Sequence, residues 1–77
     1  MLIEVTGTFC VSNIRFLRKE YSLSRLALAN LICISSGMLK KIEEGQTTAV
    51  FSRWELRCIC DVFDVTVEDL LHKDFSS

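Results

Sequence analysis

The sequence predicts an all-α domain of five short helices preceded by a short extended segment, and three observations carry that reading. Ser12, Ser24, Ser35, Ser52 and Thr66 each stand before a helix-compatible run, and such residues satisfy the open backbone donors of a helix start. Proline is absent from all 77 residues, so no run is interrupted. Within the runs the apolar residues recur at spacings of three and four, the period of a half-buried helix. With 49% apolar and 25% charged residues the chain reads as one small soluble domain. A domain of this length buries only roughly 60% of the surface its unfolded chain exposes, which leaves little room for a large multi-step catalytic site.

The lead-in Leu2 to Val11 is rich in β-branched and aromatic residues and reads as extended. A lone strand has unpaired groups on both edges, so a hairpin around Gly7, pairing with the same strand of a second subunit, or a frayed tail are the alternatives. Ser12 caps a first helix through Glu20, with Ile14 and Leu17 on one face. Ser24 caps a second, Arg25 to Ile32, which buries Leu28, Ala29 and Ile32. Ser35 caps a third, Ser36 to Glu44, with Leu39 and Ile42 inward and Gly45 as its stop. Ser52 to Glu55 is a capping box, and Leu56, Ile59, Cys60 and Phe63 form the core stripe of the fourth helix. Thr66 and Asp69 open a fifth, which buries Val67, Leu70 and Leu71. The resulting division is an extended segment over 1–12, a helical domain over 13–72 and a tail over 73–77.

Cys10, Cys33, Cys58 and Cys60 lack the spacing of a metal site, because Cys58 and Cys60 stand two apart in a helix and point in different directions. Scattered reduced thiols, no metal and no cofactor are expected. No motif assembles a nucleophile, a base and an orienting group, so no enzyme is expected, and His72 reads as an exposed side chain. No apolar run is long enough for a membrane span, and Glu4 stands where a secretory signal would be basic, which predicts a cytoplasmic protein. The net charge of −1 averages unequal parts. Residues 13–45 carry six basic against three acidic side chains, whereas residues 46–77 carry three against six.

Two short helices joined by a tight turn, the second with basic residues outward, form an arrangement that lets one helix lie in a DNA major groove. The stretch Leu23-Ser24-Arg25-Leu26-Ala27-Leu28-Ala29, then Cys33-Ile34-Ser35, then Leu39-Lys40-Lys41-Ile42-Glu43-Glu44-Gly45, resembles the helix-turn-helix of the Cro and phage-repressor family, also called the XRE family. Val65 to Leu71 resembles that family's closing segment, so the likeness spans residues 13 to 72. It implies a five-helix phage-repressor-like domain with Ser36–Glu44 as recognition helix. Ser35, Ser36, Gly37, Met38 and Lys41 then fall at or beside the positions that face base edges. Arg25 and Lys40 are implied phosphate contacts, and Arg18 with Glu43 an ion pair that ties the first helix to the third. A helix N-terminus beside a guanidinium is a good anion site, which agrees with this placement. The chain departs from the family at Cys33, where the turn usually has a glycine with left-handed φ.

Leu26, Leu31, Val50, Phe51, Trp54 and Cys58 stand at positions that usually face water in the family, and so many apolar residues in so short a chain suggest covered surfaces. Val50, Phe51, Trp54 and Cys58 form one patch, read as a homodimer interface. A dimer is also what a helix-turn-helix needs to reach two half-sites. The resemblance therefore implies a sequence-specific regulator of transcription, a homodimeric repressor on double-stranded DNA. The alternative is a protein-interaction module on the same scaffold, antirepressor or antitoxin-like, with a protein partner.

Overall fold

The computed structural model describes residues 1–76; Ser77, the last residue of the expected tail, lies outside them. The element order is β1 (Leu2–Glu4), α1 (Cys10–Glu20), α2 (Arg25–Leu31), α3 (Ser36–Glu43), β2 (Val50–Ser52), α4 (Arg53–Phe63) and α5 (Val67–His72). Five helices and a two-stranded sheet fold into a body of 28 × 26 × 22 Å. The second and third helices each end one residue earlier than the sequence suggests, with Ile32 and Glu44 as their C-caps.

Four of the five expected caps are made. Ser24, Ser35 and Thr66 accept from the backbone N–H groups of Ala27, Met38 and Asp69. Ser52 accepts from Glu55 N at 3.0 Å while the Glu55 carboxylate accepts from Ser52 N at 2.7 Å, so both halves of the capping box are formed. The Ser12 cap is not. α1 starts earlier, at Cys10, with Phe9 at its N-cap and no side-chain cap. Thr8 Oγ1 accepts from Cys10 N instead, and the Ser12 hydroxyl donates to Phe9 O. The early start puts Cys10, Asn13, Ile14, Leu17 and Arg18 on a single buried stripe at helical period.

Only three residues of the lead-in are a strand, and none of the three expected outcomes applies. β1 pairs antiparallel with β2 of the same chain, Leu2 opposite Ser52, Ile3 opposite Phe51 and Glu4 opposite Val50. Val5 N donates to Ala49 O at 2.9 Å and prolongs the contact before Gly7 turns the chain with φ +86°. Because the period of a strand is two, Ile3 and Phe51 share the inward face, and Phe51 is only 1% exposed. Phe51 is therefore a core residue and leaves the proposed interface patch.

The core is continuous from β2 through the helices: Phe51, Phe63, Ile14, Leu28, Leu39 and Leu70 are all fully enclosed. α1 packs on α3 and α5, and α4 on α2 and α5. Asn13, buried in α1, donates from Nδ2 to Leu70 O and Lys73 O and accepts at Oδ1 from Phe75 N at 3.1 Å. The first residues of the expected tail are thus tied to the domain. Tyr21 likewise reaches across, its hydroxyl donating to Phe63 O with its ring edge-on to the Phe63 ring.

Candidate nucleic-acid interface

The turn between α2 and α3 is set by backbone geometry. Ile34 N donates to Ala29 O, and Cys33 between them takes φ +61°, the left-handed conformation expected of that position. A Cβ there costs about 1 kcal/mol relative to glycine. Ser35 then returns to extended backbone and caps α3.

α3 has two unlike faces. Leu39, Ile42 and Glu43 point into the body, whereas Gly37, Met38, Lys40 and Lys41 are exposed, with Ser35 exposed before them and Ser36 half-buried. A Cβ built on Gly37 would meet nothing within 4 Å, so the backbone is open to approach from outside. Lys40 and Lys41 both stand in the last turn, where a cation also complements the helix dipole.

The inward face is anchored by charge. Arg18 Nε and Nη2 donate to the two oxygens of Glu43, each at 2.9 Å, and Arg18 Nη1 donates to Leu23 O. Arg25 Nε donates to the same carboxylate at 3.0 Å, and its Nη1 lies 3.7 Å from Glu44. Arg25, read from the sequence as a free phosphate grip, is therefore already engaged by two carboxylates. Sequence reasoning paired Glu43 with Arg18 alone and missed both Glu43 and Glu44 as partners of Arg25. Burial pushes the Glu43 carboxyl up, but the hydrogen bonds and charges of Arg18 and Arg25 outweigh that and hold it below its ordinary value. The glutamate is thus an anion that fixes α1, α2 and α3 relative to one another.

The remaining sequence-selected residues stand outside α3. Trp54 is 65% exposed, and Val50 and Cys58 are half-buried. Leu26 and Leu31 are exposed on α2. All four cysteines are free thiols. Burial, with Cys60 nearby, pushes the Cys10 thiol up to about 12, and burial with Asp61 raises that of Cys60. Both shifts favour the neutral thiol. No helix among the described residues is long and apolar enough to cross a membrane.

No family model matches the chain, and no match was found among curated proteins. Solved structures do match. The SinR master regulator for biofilm formation, in complex with DNA, is 30% identical with a TM-score of 0.67, over 79% of this chain and 95% of that one. The N-terminal DNA-binding domain of SinR from Bacillus subtilis gives 28% identity and a TM-score of 0.73, over 87% and 96% of the two chains. SinR in complex with SinI gives 28% and 0.71, over 87% and 64%. The P22 c2 repressor bound to a synthetic operator shares the fold at 19% identity and a TM-score of 0.70, over 88% and 98%. A Listeria innocua transcriptional regulator shares it at 20% and 0.68; this chain is 79% covered and spans 55% of that protein. Identity of this level over nearly a whole SinR domain, together with the capped α2–turn–α3 unit and the arginine-clamped Glu43, shows that the chain belongs to the Cro and phage-repressor-like family of helix-turn-helix domains.

Proposed function

We propose that this chain is a sequence-specific DNA-binding regulator of transcription, a cytoplasmic repressor that acts as a homodimer with α3 in the major groove. The observation that carries the proposal is the two-faced α3, whose exposed Lys40 and Lys41 and open Gly37 stand on a helix locked from behind by Leu39, Ile42 and Glu43. A rigid helix with cations outward is what groove docking requires. SinR, the 30% identical relative, has been crystallised with DNA, which supports the same partner here.

In this reading Lys41, Ser35, Ser36 and Met38 face the base edges, while Gly37 lets the helix backbone come close. Lys40 contacts phosphate. Arg25 does so by turning its outer nitrogen from Glu44 toward the duplex, which leaves its Nε on Glu43. The deciding experiment is selection of bound sequences from random duplex DNA. Enrichment of a palindrome with half-sites about one helical turn apart supports both the readout and the dimer. Binding that selects no sequence would overturn it.

A protein-interaction module on the same scaffold is the second reading, favoured by exposed Leu26, Leu31 and Trp54 and by the existence of a SinR–SinI complex. Affinity for duplex DNA that falls steeply as salt rises distinguishes the first reading from the second.

A further inference from the structure

Between β1, α4 and α5 lies a cleft of about 560 Å³, lined by Ile3, Trp54, Leu56 and Val67 together with Arg53 and Arg57. A volume in this range, with apolar and aromatic side chains around a few polar groups, is typical of a small-molecule site. Leu56, almost fully enclosed, and half-buried Ile3 supply apolar surface, while Trp54, 65% exposed, offers a flat ring. The charge in the cleft is of one sign. Arg53 and Arg57 stand one helical turn apart on α4, and no acidic residue is among those that line the cleft. Among the described residues neither guanidinium lies within 4.0 Å of a carboxylate. Residues 46–77 carry only three basic against six acidic side chains, and two of those three are gathered here without an acidic partner. Glu55, between them in the chain, is turned to Ser52 N in the capping box instead.

This combination selects the occupant. Two neighbouring guanidiniums suit a carboxylate or a phosphate, and the apolar surface beside them suits a hydrocarbon body. An acidic polymer that ran on from the cleft over α5 would meet Glu68 and Asp69, which follow Val67 and are exposed. A compact anion can stay on the arginines. We propose that the cleft binds a small amphipathic anion, its carboxylate or phosphate head on Arg53 and Arg57 and its apolar body along Trp54, Leu56 and Val67. The site shares no element with the α2–turn–α3 unit, so it stands whether or not α3 reads DNA. It gives Trp54 a ligand where the sequence suggests a second subunit.

Trp54 is the only tryptophan of the chain, so its fluorescence reports on the cleft directly. The whole chain is titrated with monomeric octanoate and octyl phosphate. At least one is expected to shift the emission to saturation and to bind at least about tenfold more tightly than neutral octanamide. The tighter of the two names the head group. Acetate, a head without a body, is expected to leave the emission unchanged at the same concentrations. Joining Arg53→Gln and Arg57→Gln in one chain is expected to reduce the affinity for the anion to that for octanamide, with octanamide binding unaffected. Both positions are exposed, and circular dichroism checks that the variant is folded. Equal affinity for the anions and octanamide overturns the inference, as does a double variant that keeps the preference, or an emission that answers to neither anion. An emission that shifts with the protein's own concentration and is indifferent to both anions assigns the surface to a second copy of the chain, and overturns it as well.

Discussion

Arg18 and Glu43 lie side by side, Nε to Oε2 and Nη2 to Oε1, with the glutamate side chain wholly shut off from solvent and the arginine 10% exposed. Removing one partner of such a pair leaves the other charge buried and uncompensated. Glu43→Ala is therefore expected to lose about 3–5 kcal/mol in urea unfolding, a large part of the stability of a small domain. A loss within about 0.5 kcal/mol would contradict the role assigned to the pair.

The same glutamate sets an acid limit. Its carboxyl is depressed in the folded chain, so its contribution is fully present above the unfolded value of about 4.3 and is lost as pH falls through the lower folded value. The contribution of Glu43 to the melting temperature is expected to be full and independent of pH near neutrality and to fall away below about pH 4. Glu43→Gln removes that component. The difference between the two melting-temperature profiles isolates it, and parallel profiles down to low pH would show that the residue does not titrate with unfolding.

Cys33→Gly is expected to stabilise the domain by about 1 kcal/mol, because the Cβ of cysteine carries a steric penalty at left-handed φ that glycine does not. That is a rise of about 4–8 °C in Tm for a chain of this size. An unchanged or lower Tm would mean that the exposed thiol makes a compensating contact.

Arg25→Ala is expected to weaken binding to all duplexes alike and to reduce the slope of log K against log salt by about one unit. Lys41→Ala should instead compress the ratio between the best and random sites. If the Arg25 variant melts lower yet keeps the full salt slope, Arg25 serves only as the tie between Glu43 and Glu44. An unchanged ratio in the Lys41 variant removes that lysine from base readout.

What could be read in the sequence was local. Ser24, Ser35, Ser52 and Thr66 act on donors within three residues, and the spacing of Leu56, Ile59, Cys60 and Phe63 is a property of one helix, so both are written in adjacent letters. β2 was missed because Val50–Ser52 is short and its partner lies 48 residues earlier, and without β1 those residues look like an apolar approach to a helix. Phe51 was misplaced for the same reason. Asn13 gave no local sign of its role, since its acceptors and donor are 57 to 62 residues away. At the site, the Arg18–Glu43 pair came from the family resemblance, while the diversion of Arg25 to Glu44 depends on how α2 and α3 dock.

The amide of Asn13 joins the first helix to nearly the last described residues, and β1 waits for Val50–Ser52 in the same way. On the ribosome, therefore, α2, its turn and α3 emerge with their caps and turn contacts already in place, but Asn13 has no partner until Leu70 has been made. The α2–turn–α3 unit is assembled from near neighbours in the chain, whereas the clasp on Asn13 closes only once residues 70–75 have emerged.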